Sequence, residues 1–142
     1  MLRNRLDRLV TLRENAEDKA LETLAQREAQ VRQAAEVAER AWAKARADHR
    51  FAGDASQWTV VELARERAAH HAKLAQQELD RRKAVADQAR QAHHAAHQQT
   101  EVVRRVADTR REQQRVEEAR REQKAQDELS ALMFGLKMRR SA

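Results

Sequence analysis

In 142 residues there are two glycines, Gly53 and Gly135, and no proline. A chain so poor in turn residues cannot change direction often, because positive φ is open at low cost to glycine alone. An all-β fold needs many tight turns and many β-branched residues, and both are lacking. Alanine, glutamine, arginine and glutamate dominate, 37% of residues are charged and only 3% are aromatic; this is the composition of long helices and coiled coils. Apolar residues are too few for a globular core. Helix propensity and periodic apolar positions argue against disorder. Opposite charges three residues apart, as in Glu62 with Arg65 and Glu118 with Arg121, add about 0.2–0.5 kcal/mol per pair to a helix. The expected fold class is all-α.

Cysteine is absent, which removes disulfides, thiolate zinc sites and cysteine nucleophiles together and fits a reducing compartment. No apolar run approaches the roughly 20 residues of a membrane helix, so a soluble protein is expected. The opening MLRNRLDRLV lacks the apolar core of a secretory signal. Its basic amphipathic pattern is like a mitochondrial presequence, but Asp7, Glu14, Glu17 and Asp18 oppose that reading.

One interruption stands out, Phe51-Ala-Gly-Asp-Ala-Ser-Gln-Trp58. Gly53 could end a helix in the left-handed conformation, and Asp54 or Ser56 could cap the next, with Gln57 completing a capping box. Residues 1–142 therefore read as a single antiparallel two-helix hairpin, with helix one over roughly 2–50, a turn over 51–57 and helix two over 58–137. In helix one Leu21, Leu24, Glu28, Val31, Ala35, Ala38, Trp42, Ala45 and His49 step by threes and fours. Leu2, Leu6, Leu9, Ala16 and Ala20 do the same in a register that slips near residue 20. In helix two the stripe is Trp58, Val61, Ala68, Ala72, Ala75, Leu79, Ala86, Ala89, Ala96, Val103 and Ala107. Such a 3.5-residue repeat winds helices together left-handedly, and alanine in the seam permits close approach while burying little area.

A turn centred near residue 54 would set Leu2 and Leu6 opposite Val106 and Val102 or Val103. Residues after about 108 then have no partner in the chain, an overhang of roughly 45 Å at 1.5 Å per residue. That overhang is polar through Lys124, yet Leu129, Leu132, Met133, Phe134, Leu136 and Met138 follow as an apolar cluster. An uncovered apolar end is a place for a second protein, or for a second copy of the chain. The hydrophilic approach to it favours a foreign partner.

Catalytic motifs are lacking: there is no glycine-rich phosphate loop and no nucleophile elbow, and two helices do not enclose a pocket. No enzyme activity and no cofactor are expected. His93, His97 and Glu101 share a helical face at metal-ligand spacing, but His94, Gln98 and Gln99 among them point to an ordinary polar helix, as do the divergent neighbours His70 and His71. The net charge is +6, of which +5 falls from residue 58 onward (18 Lys and Arg against 13 Asp and Glu). Arg81-Arg82-Lys83 and Arg104-Arg105 are tight basic clusters, but acids alternate with bases and no aromatic platform accompanies them, so nucleic acid is not an expected partner. Lys137, Arg139 and Arg140 beside apolar residues could touch anionic lipid only weakly.

Leu6-x-Arg8-Leu9-x-x-Leu12-Arg13-x-x-Ala16-Glu17-x-x-Ala20 resembles the N-terminus of type III secretion stalk proteins of the YscO/FliJ kind. The glycine-containing break before Trp58 is similar to the flagellar members. Arg120-Arg121-Glu122-Gln123-Lys124-Ala125-Gln126-Asp127-Glu128-Leu129 resembles the family's C-terminal signature. The resemblance implies a cytoplasmic coiled coil at the base of a secretion apparatus, monomeric alone, inserted into a hexameric export ATPase and reaching the cytoplasmic domain of the export gate, with secretion chaperones as further partners. It makes Arg120, Gln123, Lys124, Asp127 and Glu128 ATPase contacts; Leu129, Leu132 and Met133 join them on the uncovered-end argument. Gate contacts fall to Trp42, Phe51 and Trp58. Flagellar members use aromatic residues there; this chain has no tyrosine and offers only those three, which favours a virulence-type injectisome over a flagellum. The competing readings are a homodimeric coiled-coil scaffold, which would sediment as a stable dimer at micromolar concentration, and a basic nucleic-acid-binding rod.

Overall fold

A computed structural model gives the structure of the protein and describes residues 2–47 and 52–141, with side chains from Arg5 onward. Two helices occupy almost all of it, α1 (Leu2–Arg46, 45 residues) and the longer α2 (Ala55–Ser141, 87 residues). They pack antiparallel as a coiled-coil hairpin, and the described residues contain no strand.

The ends of the helices follow local chemistry. Lys44 and Arg46 lie in the last turn of α1, where cations suit the helix dipole. α1 thus stops about a turn earlier than the expected 50. Gly53 lies seven positions past Arg46 and does not terminate α1, and no glycine among the described residues has positive φ. α2 starts at Ala55, three residues before the expected 58, because Asp54 is the cap. Its Oδ1 accepts from the Gln57 N–H (3.0 Å) and the Ser56 hydroxyl (2.9 Å), while Gln57 Oε1 accepts from the Asp54 N–H (3.2 Å). This is a reciprocal capping box. These bonds, the Gln57 amide first and the Ser56 hydroxyl next, hold the Asp54 carboxyl below its ordinary pKa.

The chain divides into two compact units, Met1–Glu14 with Gln99–Ala142, and Asn15–Gln98. In the first, half-buried Leu6, Val10 and Arg13 of α1 meet buried Thr100, half-buried Val103 and buried Ala107 of α2. In the second, Ala38, Ala72, Leu79 and Ala86 are buried, and Glu17, Ala20, Leu24, Val31, Ala75, Ala89, His93 and Ala96 are half-buried between the helices.

The expected slip in the α1 register is absent. Half-buried positions run Leu6, Val10, Arg13, Glu17, Ala20, Leu24, in an unbroken alternation of four and three, whereas Leu9, Ala16 and Leu21 are exposed. Apolar letters pointed to the wrong face because charged residues hold seam positions: their aliphatic stems pack between the helices while the charged heads reach out. Arg82, His93 and Thr100 likewise fill three of the four positions missing from the α2 stripe; the fourth, Arg65, is exposed. Trp58, by contrast, is exposed, and His49 lies outside the described residues.

The pairing register differs as well. In the first unit Arg111 pairs with Asp7 and Arg104 with Glu14 (3.1 Å), one heptad apart on both helices. In the second, Arg90 reaches Glu28 (3.5 Å) and Trp42 Nε1 donates to Gln76 Oε1 (3.2 Å), two heptads apart on both helices. Leu6 accordingly lies among Ala107, Arg110, Arg111 and Gln114 and not opposite Val102 or Val103; Val102 and Val106 are exposed. The Leu2 side chain lies outside the described ones. The displacement from the expected pairing is about one heptad, ~7 residues, since α1 ends early and the connection is longer than a tight turn.

Candidate functional site

Past the Arg111–Asp7 pair, α2 continues as a helix to Ser141, and every residue from Asp108 to Ser141 is exposed. The exposed helix is braced along its own surface. Arg115 donates to Glu112 (2.7 Å), Arg121 to Glu117 (2.6 Å) and Gln123 to Asp127 (3.2 Å), all three or four residues apart. Its hydrogen bond to Glu112 raises the Arg115 pKa above the ordinary value. At the far end the Ser141 hydroxyl donates to the Lys137 carbonyl (2.9 Å).

The sequence-expected site residues divide between two faces. At ~100° per residue, Arg120, Gln123, Lys124 and Asp127 share one face, which Ala131, Phe134 and Met138 extend. Leu129, Leu132 and Leu136 share the opposite face with Ala125, and Met133 borders them. Glu128 lies between. Arg120, Lys124 and Glu128 have no ion-pair partner among the described residues. Leu129, Leu132, Met133, Phe134, Leu136 and Met138 are each about two-thirds exposed. The segment therefore presents a polar face turning apolar near its end and a leucine face behind it, and a partner contacting all eight expected residues must surround the helix.

Two of the three aromatic residues expected at the gate are described, and they differ in exposure. Trp42 is half-buried and its indole N–H is committed to Gln76 of the other helix. Trp58 is 43% exposed in the first turn of α2, and Phe51 lies outside the described residues. Val60 and Leu63 are exposed close behind Trp58. They escaped the sequence reading because they fall off the heptad stripe.

The histidines are in use elsewhere. His97 Nδ1 is 2.6 Å from Glu17 Oε1, Glu101 receives Arg104 (3.1 Å), and His93 occupies the seam. No three His, Cys, Asp or Glu residues among those described are grouped to hold a metal ion. Sequence reasoning also missed Thr100. It is fully buried, and its hydroxyl donates to the Arg13 carbonyl across the seam (3.2 Å). Beside it Arg13 Nη1 donates to Gln99 Oε1 (2.8 Å), while Arg13 Nε is buried without a hydrogen-bond partner. A strict heptad count, with letters ignored, would have placed Thr100 in the seam. No described helix is long and apolar enough to cross a membrane.

These features define a class: an antiparallel coiled-coil hairpin in which one helix runs on, exposed on all sides, and ends in apolar residues. A family model described as "Flagellar FliJ protein" matches residues 2–139. The chain belongs to the FliJ family, a family of non-catalytic proteins of type III export. No curated protein and no solved structure matches it.

Proposed function

We propose that the protein is the central stalk of a type III secretion system, acting in the cytoplasm at the base of the apparatus. The exposed end of α2 enters the pore of the hexameric export ATPase and promotes its activity, and the region around the interhelical connection reaches the export gate. The observation that carries this reading is the stretch from Asp108 to Ser141, helical and exposed on every side. A pore offers contacts all around a helix, which suits a segment whose signature residues and leucines point in opposite directions. Arg120, Gln123, Lys124, Asp127 and Glu128 make weak, distributed polar contacts, and Leu129, Leu132 and Met133 seat the end.

Such contacts favour rotation or slippage over a fixed lock. A single asymmetric helix in a six-fold ring meets each subunit differently and so biases which site fires next. At the gate, Trp58 is the contact with an exposed ring; Trp42, held by Gln76, supports the hairpin behind it. Secretion chaperones are further partners of the same assembly. The absence of tyrosine favours an injectisome ATPase, and stimulation of a flagellar ATPase alone would overturn that assignment.

Removing residues 116–142 should abolish stimulation of the cognate ATPase, because Asp7–Arg111 and every inter-helix contact before it remain. Circular dichroism of the truncated chain should still report the hairpin. Undiminished stimulation would refute the proposal.

A further inference from the structure

The leucine face has a regular spacing that the stalk reading does not use. Ala125, Leu129, Leu132 and Leu136 follow the four–three–four alternation of a coiled-coil seam, on a helix whose described residues have nothing packed against them there. Glu122 and Arg139 continue the stripe by one position at either end.

We propose that at high concentration the chain covers this face with the same face of a second copy, the two α2 ends lying antiparallel. The register that sets Leu129 of one copy on Leu132 of the other also sets Ala125 on Leu136 and Glu122 on Arg139. By the two-fold symmetry each of these pairs occurs twice. Within the overlap, Glu122 of each copy is the acid that meets the basic last turn of the other, opposite Arg139. A parallel pairing would set Glu122 on Glu122 and Arg139 on Arg139, so charge selects the antiparallel arrangement.

Three leucines per copy are far less than the roughly 1,200–2,000 Å² of a standard stable interface. The dimer is therefore weak, the chain is a monomer at low micromolar concentration, and the leucine face is released when another partner competes for it. The pairing does not depend on the stalk reading, and it masks an apolar end that would otherwise invite indiscriminate association.

Sedimentation velocity of the full chain, from low micromolar to several hundred micromolar, tests this. Self-association should appear at the upper end and disappear in Leu132→Asp, a change at an exposed position that leaves the hairpin's helicity intact. Glu122→Arg and Arg139→Glu should each weaken the dimer about tenfold, since each places like charges at both ends. The double variant Glu122→Arg/Arg139→Glu should recover wild-type association. A monomer at every concentration, a dimer that survives Leu132→Asp, or a double variant no better than the singles would each overturn the proposal. ATPase stimulation by the same variants at low micromolar concentration reports on the stalk reading separately.

Discussion

Replacing Ala72 by leucine should destabilise this protein, the reverse of what leucine does in most coiled-coil seams. Ala72 is 0% exposed, and Ala38, Ala86 and Ala107 are nearly as closed. Its methyl group fills the space between the helices, so the added carbons of leucine have no void to enter. If room were free, three buried carbons would contribute roughly 2.4 kcal/mol at about 0.8 kcal/mol each. Here they must push the helices apart and withdraw neighbouring alanines from contact; forced insertions of this kind cost about 1–3 kcal/mol net. At roughly 3 °C per kcal/mol for a chain of this size, the midpoint should fall by about 3–9 °C. Thermal melts followed by far-ultraviolet circular dichroism measure it. Ala95→Leu, at an exposed position of the same helix, should stay within about 0.5 kcal/mol and controls for helix propensity. A higher midpoint for Ala72→Leu would refute the close-approach reading and mean that the seam is underpacked.

Two further outcomes follow from local geometry. Gly135 lies inside α2 without positive φ, and a methyl group added there would meet nothing within 4 Å, so Gly135→Ala should stabilise the end of α2 by about 0.5–1 kcal/mol; amide exchange of the neighbouring residues should slow, and unchanged exchange would contradict the continuous helix. Asp54 and Glu78 both have lowered carboxyl pKa values, Asp54 through Gln57 and then Ser56, Glu78 through Arg81 and then Arg82. A depressed carboxylate contributes stability that is complete above its unfolded-state pKa and is lost as pH falls through the lower folded-state value. Melting midpoints should therefore decline on acidification through the carboxylate range. Asp54→Asn, which keeps a capping side chain and cannot titrate, should flatten part of that decline, and an identical acid profile would rule out the cap as a source.

Much of this architecture was legible in the sequence, for reasons that particular residues make clear. The scarcity of glycine and proline left only one place for the chain to reverse, and the Asp54–Gln57 spacing is a local hydrogen-bond pattern that sequence carries directly. The end of α1 was not legible, because Gly53 drew the boundary toward itself while the helix stops at Arg46 without a left-handed residue. The seam was legible only where it is apolar. Arg13, Glu17, Arg82 and Thr100 pack between helices through methylene or methyl groups, so a reading by residue class skipped them and invented a slip in their place. The exposed end of α2 was foreseen as a position, from the difference in helix lengths. Its division into two faces needed only the three- and four-residue steps through Lys124, Asp127, Ala131 and Phe134, a signal present in the sequence but masked by treating signature and apolar tip as one site. The hydrogen bond that ties Trp42 to Gln76 is a long-range fact no local pattern contains.

The account rests on α2 continuing, uncovered, after its last contact with α1. Because the chain has no cysteine, spin labels can be placed at Arg110→Cys and Arg139→Cys with no competing thiol, and their separation read by pulsed dipolar spectroscopy at low micromolar concentration. A continuous helix predicts about 45 Å between the labelled backbones, from 1.5 Å rise per residue. A distance below about 25 Å, which only a reversal of the chain could give, would contradict it.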